Sequence, residues 1–307
     1  MECRGAASRI ARRAVAALQA EALLTPKPAL VDRRGCGAHR DLDLRRLLRS
    51  AAALRPGFER MAECARGRLP GRPLREELGR IGREAESAML AATGGSNAHR
   101  GAIWILGLLS AASAMHQGVP SAAAVARMAS YTARFRDRHA PSPATHGSRV
   151  RARYGATGAR GEALAGFPHV IEVGLPALRS ARRRGIGEEC ARLDALMAIM
   201  AVLEDTCLLH RGGRGALAAA QSGARAVLDS GGSSSVAGWR ALLALDRELL
   251  ERWASPGGCA DVLAASLFLD GAAPLDATLA KDAPPHPGAA RQHDTSLNRE
   301  AISPWNA

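Results

Sequence analysis

Five short polar clusters interrupt an otherwise apolar chain, and each could do chemistry. The first is Thr25-Pro26-Lys27-Pro28-Ala29-Leu30-Val31-Asp32, followed by Gly37-Ala38-His39-Arg40-Asp41. Two prolines stiffen the backbone around a lysine. All but two of the 42 basic side chains are arginine, and the lysines are Lys27 and Lys281 alone. An ammonium is a compact point charge suited to phosphate, whereas a guanidinium is a planar fork. Lys27 is therefore expected on a phosphate group, with an ordinary surface loop as the plainer reading. Asp32, His39 and Asp41 add two carboxylates and an imidazole, which suit Mg²⁺ or a general base. Asp41 or Asp43 could equally be a helix N-cap.

The second cluster is Gly94-Gly95-Ser96-Asn97-Ala98-His99-Arg100-Gly101. A glycine-rich turn opening a helix presents backbone N–H groups to an anion, and Asn97, His99 and Arg100 would surround it. The Lys-Ser/Thr ending of a Walker loop is missing. The third runs from Tyr154 to Pro168 through Gly155, Gly158, Gly161 and Gly166. No strand leads into it, so a dinucleotide fingerprint is rejected. Arg160 is a candidate phosphate ligand and Glu162 a candidate base, against the plainer reading of a local ion pair. The fourth is Glu204-Asp205-Thr206 with His210-Arg211-Gly212-Gly213. Adjacent carboxylates suit a cation, and acids placed at the end of an apolar helix would oppose its dipole. The fifth, Ser255-Pro256-Gly257-Gly258-Cys259-Ala260-Asp261, opens the last apolar helix as an anion site or a cap.

The elements that must position these clusters are helices. Hydrophobic residues make up 47% of the 307 residues and aromatics only 3%. A core of Ala, Leu, Val, Ile and Met favours helix, and β-branched runs are scarce. Helices are expected over 6–24, up to 54 from a cap at 41 or 43, 73–89, 98–115, 120–135, 158–165, 168–181, 188–203, 215–228, 236–253 and 258–268. The fold class is all-α, one domain of many packed helices over residues 1–270. Residues 271–307, rich in Pro and Ala, read as a flexible tail.

The net charge of +13 attracts polyanions. The arginines are spread over every segment and aromatics are few, which argues against a basic helical nucleic-acid-binding module. Six cysteines without a CxxC pair read as reduced thiols in a cytoplasmic protein. No run is apolar enough to span a membrane. The Arg-rich start mimics a transit peptide but is read as the first helix of the fold.

In this order the stretches TPKPALVD, GAHRDLD, TGGSNAHRGAI, YGATGARGEALAGFP, EDT…RGG and SPGGCADVLAASLF resemble the triphosphoribosyl-dephospho-CoA synthase family. They cover residues 10–270. The chain departs from the pattern at Ala29, where glycine is expected, Ala98 (threonine), Arg100 (lysine) and Cys207 (asparagine). The resemblance implies an all-α transferase. In its reaction the 2′-hydroxyl of 3′-dephospho-CoA attacks the anomeric carbon of ATP, adenine leaves, and the triphosphate stays on the transferred ribose. The product is the prosthetic-group precursor for the acyl-carrier subunit of malonate decarboxylase, or of citrate lyase as the close alternative. A nucleotide-dependent phosphotransferase is the competing enzyme class. Under this resemblance Glu162, Asp32 and His39 are the candidate catalytic groups. Lys27, Asn97, His99, Arg100, Arg160 and Arg211 hold phosphate, and Asp41, Asp205 and Glu204 hold Mg²⁺. ATP, dephospho-CoA and, downstream, the acyl-carrier subunit are the partners, without nucleic acid or membrane. A homodimer is left open.

Overall fold

The computed structural model describes residues 2–116, 118–140, 150 and 152–271. The tail read from the sequence and most of the polar stretch before Tyr154 lie outside the described residues. Twelve α-helices and one π-helical turn are described: α1 Glu2–Leu23, α2 Leu44–Ala53, α3 Arg55–Ala65, α4 Arg72–Thr93, α5 Arg100–Met115 and α6 Ala122–Arg134, then α7 Gly158–Leu164, the π-helical turn His169–Gly174, α8 Leu175–Arg183, α9 Glu188–Met200, α10 Thr206–Asp229, α11 Val236–Glu251 and α12 Gly257–Asp270. Among the described residues the only pairing of β type is an isolated bridge between Asp32 and Gly35. The all-α expectation is met.

Local chemistry sets the helix ends. Asp43, not Asp41, caps α2, accepting Arg46 N–H at 2.7 Å. The break before α3 falls at Leu54, which leaves Pro56 in the first turn, where its missing N–H costs nothing. Ser121 caps α6 and Ser235 caps α11. The helix expected from Pro168 begins as a π turn and continues as α8. The helix expected from Gly215 begins nine residues earlier, at Thr206, and kinks at Gly213, where φ is +64°.

The two most apolar helices form the centre. α5 packs against α1, α3, α4, α6, α7 and α12, and α12 packs against α1, α5, α8, α9, α10 and the π turn. Phe58, Phe167 and Phe268 are fully buried, and alanine is the commonest residue of the buried core. Because α5 and α12 are central, their N-termini bring the second and fifth polar clusters to one end of the core. Asp261 of α12 receives the N–H of Ala102, in the first turn of α5.

The loop between α1 and α2 is folded by its own side chains. Asp32, 3% exposed, accepts Lys27 N–H at 2.9 Å and Arg34 N–H at 2.8 Å. The Arg34 guanidinium bridges Asp32 (2.8 Å) and Asp246 of α11 (2.7 Å). Asp246 in turn accepts Ala29 N–H at 2.8 Å. Ala29 is buried at φ +52°, the left-handed region. That conformation explains why glycine is the residue expected there. It costs an L-residue about 1–2 kcal/mol, against an entropic cost of about 0.5–1 kcal/mol for glycine. Ala29→Gly is therefore expected to raise stability by about 0.5–1 kcal/mol, read as a higher urea midpoint at unchanged m-value.

Candidate functional site

The end of the core where α5, α10 and α12 begin is rich in buried charge. Lys27 is wholly buried, which removes the surface-loop reading. Its Nζ donates to the Glu21 carboxylate at 2.5 Å and to the Glu21 carbonyl at 2.8 Å, capping the last turn of α1. Lys27 lies near His99, and together burial and its charge push that imidazole down to about 4. His99 Nδ1 pairs with Ser50 Oγ at 2.7 Å, while the buried Nε2 has no partner among the described residues.

Protein carboxylates occupy the helix starts where an external anion was expected. Asp205 does not end α9: it is the N-cap of α10, so the dipole conflict read from the sequence is absent. One oxygen accepts Cys207 N–H (2.7 Å) and Leu208 N–H (3.3 Å); the other accepts Cys259 N–H (2.8 Å) in α12. Burial raises its pKa. Asp261 sits against Gly101, where a Cβ would lie 2.0 Å from its Oδ2, so only glycine fits. Burial, Asp205 and Glu21 drive the Asp261 carboxyl well above the usual range. Burial, Asp205 and Asp261 hold the Cys207 thiol well above its ordinary value, hence neutral.

His39 lies at the edge of this cluster. Arg211 donates to the Ala38 carbonyl (2.7 Å) and to His39 Nδ1 (3.2 Å). That donation assigns the proton to Nε2, which donates to Ser255 Oγ at 3.0 Å. Burial and the Arg211 charge lower the His39 pKa to about 4, so this imidazole is neutral at pH 7.

Glu162 stands in α7 and is buried. Both its oxygens are engaged with one residue absent from the sequence reading. Oε1 accepts the backbone N–H of His169 (2.9 Å), and Oε2 lies 2.7 Å from His169 Nδ1. The hydrogen bond to Glu162 raises the His169 pKa, against partial burial. Between them Phe167 is wholly buried at φ +61°. A bulky residue there is strained, and His169 opens a π turn; both features concentrate at functional sites. The start of α7 meets the start of α10, since a Cβ at Gly158 would lie 3.0 Å from Thr206 Cγ2.

The remaining candidates are more peripheral. Asp41 and Glu204 are exposed. Asn97 Oδ1 accepts Arg100 N–H at 3.2 Å, and Arg100 is ion-paired with Glu86. Arg160 is exposed. Asp41, Glu204 and Asp205 do not form a metal-binding set, and no group of three or more metal-ligating side chains occurs among the described residues. Asp246 went unread because it is remote in sequence from the clusters, and Glu21 and His169 because they stand just outside the first and third. A usable signal existed for one: Glu21 is the only acid between Cys3 and Val31. The five cysteines described (Cys36, Cys64, Cys190, Cys207 and Cys259) are free thiols. No described helix is long and apolar enough to cross a membrane.

Three relatives similar over most of the chain carry the name "Probable 2-(5''-triphosphoribosyl)-3'-dephosphocoenzyme-A synthase". The Pseudomonas fluorescens protein is 58% identical over 266 residues, 86% of this chain and 91% of its own. The Azotobacter vinelandii protein is 58% identical over 271 residues, 88% and 93% respectively. The Stutzerimonas stutzeri protein is 56% identical over 268 residues, 86% and 92%. No solved structure matches. The family model described as ATP:dephospho-CoA triphosphoribosyl transferase (CitG) matches residues 7–278, which takes in every one of the clusters above, and the chain belongs to that family.

Proposed function

We propose that this transferase moves the 5-triphosphoribosyl group of ATP to the 2′-hydroxyl of 3′-dephospho-CoA and releases adenine. The bond from ribose C1 to adenine N9 breaks, and a bond from C1 to the acceptor O2′ forms. The hydroxyl proton passes to a base, and adenine takes up a proton as it leaves. ATP is β-linked and the family's product is α-linked, so one inverting displacement suffices, as in inverting glycoside transfer.

The observation that carries this reading is the Glu162–His169 pair. Glu162 spends one oxygen on the His169 backbone and the other on Nδ1, which fixes the ring. His169 is half-buried, and its Nε2 is the group left to take the acceptor proton. Glu162 thus positions the base rather than acting as it, the arrangement a carboxylate–histidine pair uses elsewhere. His99 Nε2, Arg211 and Lys27 are assigned to the phosphates.

Mg²⁺ fits this site in a limited way. Asp32 and Asp205 already accept several N–H donors, whereas Asp261 is crowded by Asp205 and Glu21, a repulsion that a cation relieves. Mg²⁺ usually takes one or two carboxylates beside substrate phosphates, so Asp261 would hold it. Bound there, it would neutralise the triphosphate.

The product serves the acyl-carrier subunit of malonate decarboxylase in this reading, with citrate lyase as the alternative. Residues 1–270 are the catalytic unit. A chain cut after Gly271 keeps Asp270 and its ion pair with Arg182 (2.5 Å) and is expected to turn over normally.

The test is product analysis. Incubated with ATP, Mg²⁺ and dephospho-CoA, the enzyme is expected to release adenine in equal amount to a triphosphoribosyl adduct. ADP or AMP as sole nucleotide product would replace this reading by phosphoryl or nucleotidyl transfer. CoA bearing a 3′-phosphate is expected to be a poor acceptor, because that group crowds the 2′-hydroxyl.

A further inference from the structure

Four helices end in the same hydrogen-bonded motif, and one of them breaks its rule. In a Schellman ending the residue after the C-cap adopts the left-handed conformation and is usually glycine. Gly166 ends α7 this way, with its N–H on Ala163 O and Phe167 N–H on Glu162 O. Gly185 ends α8 and Gly231 ends α10 with the same pair of bonds. Helix α11 makes the identical bonds, Trp253 N–H to Leu250 O (2.9 Å) and Ala254 N–H to Leu249 O (3.0 Å). Its left-handed residue is Trp253, at φ +52°. The chain has 32 glycines and puts its bulkiest residue type at this position.

The ring is not used for the core. Trp253 is 44% exposed, even with the Arg40 guanidinium 5.4 Å from its centroid. Arg40 follows His39, and Ser255, two residues beyond Trp253, pairs with His39. The next residue, Ala254, lies against Gly212, beside Arg211. An exposed indole backed by a guanidinium at the edge of this charged cluster is a surface for a flat, electron-rich ring.

We propose that Trp253, backed by Arg40, is a stacking platform for an adenine ring, which selects nucleotide over bare polyphosphate. This rests on the transfer reading, in which ATP and dephospho-CoA both carry adenine, and the two rings are the two sources to be separated. Strain at Trp253 is retained because the indole binds ligand.

The experiment measures dissociation constants of ATP, dephospho-CoA, inorganic tripolyphosphate and 4′-phosphopantetheine for the parent, Trp253→Gly and Trp253→Phe by calorimetry. Glycine relieves the left-handed strain, so the Trp253→Gly melting temperature is expected to be equal or higher. Its affinity for one adenine ligand is expected to fall by about tenfold or more, as when stacking aromatics are removed. Affinities for tripolyphosphate and phosphopantetheine should stay unchanged, and Trp253→Phe should stay within about threefold of the parent for every ligand. The adenine ligand that weakens names the ring. Unchanged affinity for both adenine ligands, or an equal loss for tripolyphosphate, overturns the platform. Should Trp253→Gly not fold, fluorescence decides: the stacking ligand must quench the parent more than Trp253→Phe, and equal quenching overturns the proposal. Adenine release by the parent is followed in parallel. Its absence defeats the reaction assignment alone, while normal release with unaltered Trp253→Gly binding defeats only the platform.

Discussion

Replacing Lys27 by methionine is expected to lower the stability of the fold by about 3–5 kcal/mol, because it leaves the buried Glu21 carboxylate unpaired. The ion pair is 2.5 Å long and its two side chains are 1% and 6% exposed. Removing both charges in Lys27→Met/Glu21→Leu should restore most of that loss, since an apolar pair of similar volume is often as stable as a buried ion pair. Activity separates packing from chemistry. If the ammonium also meets the triphosphate, the restored double variant still turns over about a hundredfold more slowly, the scale of losing one charge-stabilising group. A double variant that regains both stability and full activity would make Lys27 purely structural. Urea midpoints and adenine release on the same samples give the answer. Lys27→Arg is expected to recover part of the function only, because the fork is larger than the space an ammonium leaves.

Glu162→Gln and His169→Gln should each reduce kcat by roughly two to four decades, the range for loss of a general base. ATP affinity should be kept. The pH dependence identifies the pair. His169 acts as a base only when unprotonated, and Glu162 raises its pKa. In the parent, kcat therefore climbs as pH rises through a value above the ordinary imidazole range. In Glu162→Gln that support is gone, so the residual activity has its acid limb at lower pH. The same raised pKa means the ion pair stabilises the fold below about pH 6.5 and stops doing so as pH rises through the folded-state pKa. A Glu162→Gln enzyme with parental kcat, or one that no longer binds ATP, removes the pair from the chemistry. Asp261 would then be the next candidate. Asp32 would not, since its oxygens are engaged by Lys27, Arg34 and the loop backbone.

Helices were legible where apolar residues recur at helical spacing and a proline or serine marks the start. That holds for α4, α6 and α11. The start of α10 was not legible. The apolar run of α9 leads directly into Glu204-Asp205, which made the acids look like a helix end, and Gly212-Gly213 looked like a loop. Only in three dimensions does Asp205 cap the next helix while Gly213 kinks it. The π turn was hidden because shifted backbone bonding leaves no clear mark in side-chain periodicity. The site was legible as residue types and only partly as roles. Lys27 was singled out by its rarity, but its burial against Glu21 depends on how α1 ends. Glu162 was found, while His169, across the Gly-Phe-Pro turn, was not.

The Asp205 carboxylate joins the first turns of two helices that are over fifty residues apart in the chain. Neither turn can fray without stranding an acid in the core. The amides of Cys207, Leu208 and Cys259 therefore belong to one opening unit. Solvent deuterium is expected to reach all three in a single event, and a ligand that settles on either helix is expected to slow exchange at the other.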